Sequence, residues 1–307
     1  MSDETKENII RTVLMRYMRL DDVIKWTAIS FIGFIFGTTN FTLQAVLLPF
    51  VVFLIATSFI MSFCFSINNY YDADSDRENP RRRDKNALAS GEISKKEGMA
   101  LNMIFIAITL VITAWYNPGL LYMAVILFVM IAAYSVPPVR LKGRPGIDVL
   151  WHFLGFFLFI IWGSLVAGSL PMVTWLAAIS LGVFSCIGQL WNHYVDYEFD
   201  KESGTKTYAV RVGLATTKKT LNIVLGIHCI ILFLLLALYS SHYMIPLLVF
   251  MIGMIIGYIL FRPKKNGFPT RRSIEFYLTI IFGGSVYISC LFNHLFSSIG
   301  FNLIKIF

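Results

Sequence analysis

Charged residues are scarce in this chain of 307 residues, at 14%, whereas apolar residues make up 57%. The apolar residues form runs that are too long for strands or ordinary core helices, which excludes a soluble globular protein and indicates an integral membrane protein. Apolar runs of about 17 to 25 residues are typical of membrane spans. We therefore predict nine transmembrane helices, near residues 24–38, 44–68, 97–115, 119–136, 148–168, 172–196, 219–240, 243–261 and 275–297.

Cysteine is also rare, with four residues that all fall inside predicted spans. None has the CxxC spacing of a zinc site, so the pattern favours small apolar packing residues over metal ligands or disulfides. The four are Cys64, Cys186, Cys229 and Cys290.

The polar first 22 residues lack the basic, apolar and small-residue regions of a cleaved signal, and we expect this segment to be retained.

Lysine and arginine are missing from every second loop. The first 25 residues and the loops near 69–96, 137–147, 197–219 and 262–274 hold 25 of the 26 basic residues. Because basic loops stay in the cytoplasm, we predict a multi-pass protein of the cell membrane with a cytoplasmic amino terminus and an external carboxyl terminus. The net charge of +8 is then explained by topology and by anionic lipid of the bilayer, and not by nucleic acid.

One acidic pattern occurs twice, 124 positions apart, each time at the end of a long apolar run. In a helix the Asn and the two Asp of each copy, at i, i+4 and i+8, advance only about 40° per step and share one face. The copies are Asn68-Asn-Tyr-Tyr-Asp72-Ala-Asp-Ser-Asp76 and Asn192-His-Tyr-Val-Asp196-Tyr-Glu-Phe-Asp200.

The same offset recurs outside these motifs, where Tyr134 and Arg140 align with Tyr258 and Lys264. Four predicted spans separate equivalent positions, which indicates a parallel internal repeat about an axis along the membrane normal. We predict an all-α bundle around a central cavity that both acidic motifs face from the cytoplasmic side. Its parts are a cytoplasmic segment 1–22, a membrane domain 23–298 with four-helix halves 23–147 and 148–270 and a last helix 275–297, and a tail 299–307.

Four carboxylates in one confined site repel each other unless cations intervene. Hard oxygen ligands suit magnesium, which usually completes its shell with phosphate oxygens of a substrate. We therefore predict two Mg²⁺ ions held by both motifs, although aspartates at helix ends are also common as caps or solvated groups. The predicted metal ligands are Asp72, Asp76, Asp196, Asp200 and Asn68, and the four aspartates are also the predicted catalytic residues.

Basic residues near the motifs add a site for a polyphosphate leaving group. Arg140, Lys142 and Lys201 are the best candidates, since they lie beside other motif residues, although each basic residue is also explained by topology. Tyr134 has two readings of equal weight, as a partner of a cation or phosphate and as an ordinary interfacial tyrosine. A phosphate site at the mouth of an apolar bundle predicts a substrate with a lipid tail.

These motifs resemble those of the UbiA-type intramembrane prenyltransferases. The resemblance rests on NxxxDxxxD, on SGEIS at 90–94, on YSVPP at 134–138 and on DYEFDKESGTKTYAVRVG at 196–213. It implies nine helices, a polyprenyl diphosphate donor bridged by magnesium, an allylic carbocation and a lipophilic acceptor. The diphosphate-binding residues that it implies are Asn68, Asn192, Lys201, Arg140 and Tyr134, to which the position of Lys142 beside the YSVPP motif adds a sixth candidate.

The chain departs from the family where many members carry an Arg-Pro pair, since it has Lys85-Asn-Ala-Leu-Ala-Ser-Gly91. The sequence after the second motif is closer to quinone-pathway members, which favours an aromatic quinone precursor as acceptor. A glycerol-phosphate ether lipid or another isoprenoid remains an alternative acceptor. The alternative function from a different class of membrane protein is a cation transporter.

Overall fold

The computed structural model describes residues 11–240, 244–261 and 271–298, and within these it is all-helical. Several predicted features lie outside the described residues. They are the tail 299–307, most of the loop 262–274 with Lys264, the start of the predicted segment 1–22 and the side chain of Tyr258. The described residues contain nine helices of 16 residues or more. They are α1 (Leu20–Gly37), α2 (Leu43–Glu78), α3 (Lys95–Tyr116), α4 (Leu120–Ser135), α5 (Ile147–Ala167), α6 (Met172–Val195), α7 (Leu214–Tyr239), α8 (Met244–Phe261) and α9 (Arg271–Ser298).

Length and apolar composition allow six of these helices, among the described residues, to cross a membrane: α2, α3, α5, α6, α7 and the part of α9 from Thr279 to Ser298. Two shorter apolar stretches lie in α4 and α8. The chain is a multi-pass integral membrane protein, and the count of nine spans stays a prediction.

Two differences from the predicted helices concern the acidic motifs. The second predicted span ended at residue 68, but α2 continues to Glu78 and carries the whole first motif. The second motif was predicted on one helix, yet α6 ends at Val195, Asp196 has non-helical angles (φ −89°, ψ 8°), and a short helix Tyr197–Glu202 follows. The prediction of one continuous helical face is therefore right for the first motif and wrong for the second.

Helices α1 and α5 approach each other through glycines. A Cβ atom on Gly163 would overlap the carbonyl oxygen of Ser30, and one on Gly33 would overlap that of Ile160. Small residues let helix backbones come close in a membrane, where hydrophobicity gives little driving force between helices. In addition, the Ser30 hydroxyl donates to the carbonyl of Phe159 over 2.6 Å. Helix α5 also packs on α6, so it joins α1 of the first predicted half to α6 of the second.

The loop after the first motif is also held in place. Ser94 caps α3, accepting from the Glu97 amide, and the Glu97 carboxylate accepts from the Ser94 amide, which forms a capping box. A π-helical segment, Thr12–Tyr17, packs against this region. Its Tyr17 is fully buried and donates to the carbonyl of Gly98 over 2.6 Å, and Arg16 pairs with Glu92.

Candidate active site at the ends of α2 and α6

The first acidic motif forms a compact polar group with the connection between α4 and α5. The Asn68 amide oxygen accepts from the Ser135 hydroxyl over 3.0 Å and from the Lys142 ammonium over 2.8 Å. The same ammonium lies 2.7 and 2.6 Å from the two carboxylate oxygens of Asp72. Lys142 thus contacts both Asn68 and Asp72, and all three residues were predicted from the sequence.

The two basic residues at Asp72 differ in burial. The side chain of Lys142 is 16% exposed, whereas that of Arg140, whose Nη2 lies 3.2 Å from Asp72, is 47% exposed. Burial lowers the pKa of Lys142, and the hydrogen bond to Asp72 opposes this shift. Because solvent screens the exposed pair, Lys142 is the main countercharge of Asp72.

Arg140 has a left-handed backbone (φ 33°), a conformation that costs energy in a non-glycine residue and often occurs at functional sites.

Asp76, the last residue of the first motif, is held by a residue that the sequence analysis did not select. The amide nitrogen of Asn86 donates to Asp76 over 3.0 Å and to the carbonyl of Asn69 over 2.9 Å. Asn86 is 2% exposed, and its amide oxygen accepts from the Leu88 amide over 3.1 Å. It lies in the segment where the chain departs from the family pattern, and that departure was the only signal in the sequence.

The second motif is more open. Asn192 and Asp196 are exposed, and Asp200 is half-buried. Burial raises the pKa of Asp200, as does the charge of Asp196, while Thr207 and the charge of Arg82 lower it. Arg82 follows the first motif, so the loop after that motif contributes to the electrostatics of Asp200. Lys201 is exposed, with its ammonium 5.9 Å from the centre of the Tyr197 ring.

A buried polar cluster ties the second motif to α5. His193 Nε2 lies 3.1 Å from a carboxylate oxygen of Asp148, and Gln189 donates to the same oxygen over 3.3 Å. Asp148 and His193 are 3% and 6% exposed. A buried carboxylate needs such partners, so the cluster fixes the end of α6 against α5. No motif distinguishes Asp148 in the sequence, and its only signal is that it is an acidic residue at the start of an apolar run.

Two cavities meet at the first motif. A mainly apolar cavity of about 450 Å³ and a polar cavity of about 720 Å³ share Arg19, Asn68 and Asp72 in their walls. Tyr134 and His152, whose side chains are 3.3 Å apart, line the apolar cavity. Residues of the second motif do not line either of these two cavities, so a cavity shared by both motifs stays a prediction.

Arg19 is a further residue that the sequence analysis missed. It has a left-handed backbone (φ 55°) between the π-helical segment and α1. Its guanidinium lies 4.7 Å from the centre of the Phe65 ring and donates from Nε to Asp22 over 2.8 Å. Sequence alone offered no reason to distinguish it from the other basic residues near the amino terminus.

The oxygen donors of the motifs fit magnesium. Across the described residues there is no group of three or more His, Cys, Asp or Glu side chains that could hold a metal ion. Magnesium is usually held by one or two carboxylates and completes its shell with substrate phosphate and water. The candidate ligands remain Asn68, Asp72, Asp76, Asp196 and Asp200.

Comparison with known proteins identifies the family. A model described as the UbiA prenyltransferase family matches residues 27–281. The chain belongs to this family. The resemblance seen in the motifs is thereby confirmed, and so is the expected all-helical membrane fold.

The chain is also similar to individual members of the UbiA family. A UbiA homolog from Archaeoglobus fulgidus, solved bound to GPP and Mg²⁺, is 25% identical with a TM-score of 0.63, covering 90% of this chain and 98% of that one. A lycopene elongase/hydratase from Haloarcula japonica is 28% identical over 50% of this chain and 51% of its own length. A digeranylgeranylglyceryl phosphate synthase from Korarchaeum cryptofilum is 31% identical over 50% and 52%. The match thus spans about half the length of these two relatives.

Proposed function

We propose that this protein transfers a prenyl group from a prenyl diphosphate to a hydrophobic acceptor, with magnesium as cofactor. The observation that carries the proposal is the group of Asn68, Asp72 and Lys142 at the junction of a polar and an apolar cavity. A substrate with an anionic head and an apolar tail matches this junction. The A. fulgidus homolog bound to GPP and Mg²⁺ supports the same donor and cofactor.

Asp72, Asp76 and Asn68 of the first motif, with Asp196 and Asp200 of the second, are the proposed magnesium ligands. Magnesium bound there neutralises the charge that develops on the diphosphate as it leaves. Asn192, at the position equivalent to Asn68, is proposed to bind the diphosphate from the second motif.

Lysine and arginine side chains complete the proposed diphosphate site. The Lys142 ammonium is already positioned and partly desolvated at Asp72, so it binds an anionic oxygen with little loss of side-chain entropy. Arg140 and Lys201 are more exposed and would approach the diphosphate from the solvent side. Tyr134 faces the apolar cavity, where its ring is available to a cation formed at the first carbon of the tail.

For the acceptor we favour another isoprenoid or an isoprenoid ether lipid over an aromatic quinone precursor. The support comes from the names of the relatives, lycopene elongase/hydratase and digeranylgeranylglyceryl phosphate synthase. The mainly apolar walls of the cavity are consistent with a second apolar chain. The aromatic acceptor remains the competing candidate.

The basic residues also support the predicted orientation, in which both motifs face the cytoplasm. Arg82, Arg140 and Lys142 lie at the end of the bundle that carries the first motif. Basic residues in short loops stay on the cytoplasmic side.

The test is an assay of purified protein in lipid nanodiscs with labelled prenyl diphosphates. Lycopene, geranylgeranylglyceryl phosphate and an aromatic quinone precursor are offered in parallel as acceptors. We expect a labelled lipid product and released diphosphate, lost with a chelator and restored by magnesium. Chelator-insensitive product formation would reject the metal assignment, and ion flux in liposomes without any donor would favour the transporter reading.

A further inference from the structure

The apolar cavity extends from the first motif into the bundle. We call Met61 and Phe159, the lining residues of α2 and α5 farthest from the motif, its floor. Along α2 its wall includes Asp72 at one end and Met61 at the other. These residues are eleven positions apart, about 16 Å along a helix that rises 1.5 Å per residue. On α5 the lining residues run from Trp151 to Phe159, and Phe159 and Met61 are both buried, at 9% and 5% exposure.

A polar contact closes the bundle one helical turn beyond this floor. The indole nitrogen of Trp162 donates to the Thr57 hydroxyl over 2.9 Å, and both residues are fully buried. Thr57 lies four positions before Met61, and Trp162 lies three positions after Phe159. An apolar chain that passed this point would break the hydrogen bond and leave two buried polar groups without partners, which is costly.

The floor also cannot move aside easily. The carbonyl of Phe159 accepts from the Ser30 hydroxyl over 2.6 Å, and Gly163 packs against the Ser30 backbone with no room for a Cβ atom. Displacing Phe159 by a backbone movement would therefore separate α1 from α5. Well-packed interiors resist such changes.

We propose that Met61 and Phe159 set the maximum length of the isoprenoid chain that extends inward from the diphosphate. This inference rests on the proposed function and adds to it two specificity-determining residues. A chain that ends above the floor fills the cavity, whereas a longer chain must fold back or displace Phe159. The difference of even one methylene group in an apolar pocket changes selectivity by about tenfold or more.

The test measures binding of nonreactive prenyl thiodiphosphates with magnesium, by the rise in melting temperature of the purified protein. The series is geranyl, farnesyl and geranylgeranyl thiodiphosphate, and no acceptor is needed. We expect Phe159→Ala to improve the affinity for the longest analogue relative to the shortest by about tenfold compared with the unmodified protein.

Two further variants keep the test decisive if Phe159→Ala folds poorly. Gly155 lines the cavity above the floor, and a Cβ atom there would lie 3.8 Å from Met130 Cε, an ordinary contact. Gly155→Val should therefore fold and shift the preference toward the shortest analogue. Phe157→Ala is the matched control, because Phe157 packs on Phe153 and Trp175 outside this cavity.

The outcomes separate the two proposals. If no analogue stabilises the unmodified protein, the proposed function itself fails. If the analogues bind but their order of affinity is the same in Phe159→Ala and Gly155→Val as in the unmodified protein, the floor is refuted. An equal shift in Phe157→Ala would also refute it, since that change leaves the cavity wall intact.

Discussion

The closest polar contact of the first motif joins Lys142 to Asp72, in a setting where both side chains are largely shielded from solvent. A partly buried carboxylate requires a countercharge, and this lysine supplies one from the connection between α4 and α5. Binding of magnesium and diphosphate at the same oxygens requires the ammonium to exchange the carboxylate for a phosphate oxygen. In the proposed mechanism, Lys142 would balance the negative charge of Asp72 when substrate is absent and that of the leaving diphosphate when substrate is bound.

Asp72→Asn keeps the shape of the side chain and removes the charge that we assign to magnesium. We expect prenyl transfer, measured as kcat/KM, to fall by at least roughly 10², because stabilisation of the leaving group is lost. Asp74→Asn is the matched control, since Asp74 is exposed on the same helix and pairs with Lys95 over 2.7 Å. Similar losses in both variants would contradict a specific role of Asp72.

Asn86→Ala tests the residue that holds Asp76. The change leaves the Asp76 carboxylate and the Asn69 carbonyl without their buried donor. We expect the free energy of unfolding to fall by about 1–3 kcal/mol. We also expect a weaker affinity for magnesium, seen as a higher magnesium concentration at half-maximal activity. The measurement combines thermal unfolding with a magnesium titration. Unchanged values in both would show that Asn86 does not position the motif.

Among the helices, periodicity and apolar runs were sufficient to predict the type and approximate bounds of the long elements. They did not predict that α2 continues past the apolar run to Glu78, because a helix that leaves the apolar region is stabilised by contacts and not by hydropathy. The break at Asp196 was also missed, since the second motif has the same helical spacing as the first. Contacts such as Asp148 with His193 join distant parts of the chain, and one sequence does not reveal them.

The packing of α1 against α5 gives a prediction at the level of elements. Gly163→Ala introduces a methyl group where the Ser30 carbonyl already lies. We expect a loss of about 1–3 kcal/mol in stability from overpacking, seen as a lower melting temperature in detergent. Gly188→Ala is the control, because nothing lies within 4 Å of a Cβ atom there. An unchanged melting temperature in Gly163→Ala would mean that the two helices can separate at little cost.

Over the whole molecule, each motif lies at the carboxyl end of a long helix, the first on α2 and the second at the end of α6, as the predicted repeat requires. Helices α3, α4 and α5 lie between α2 and α6 in the chain. If each of them crosses the bilayer, α2 and α6 run in the same direction, and their motifs emerge on one face. The effect of the Arg82 charge on Asp200 is consistent with this arrangement.

Labelling of introduced cysteines tests the orientation. Asp74 pairs with Lys95 at the start of α3, and Asn117 follows its end, so α3, with its 22 residues, separates the two positions by about 33 Å. That length exceeds the hydrocarbon thickness of a bilayer, about 30 Å. In a variant whose native cysteines are replaced by alanine, an impermeant maleimide should label Asn117→Cys in intact cells. Asp74→Cys and Lys201→Cys should react only after permeabilisation.

The charge distribution gives the reason for this expectation, since 25 of the 26 basic residues lie in segments that the sequence predicts to be on the side of the motifs. Labelling of Asp74→Cys and Lys201→Cys from opposite sides would exclude joint binding of one diphosphate by the two motifs. Labelling of both from outside the cell would preserve the shared site but reverse the orientation, and the donor would then have to be supplied on the external face.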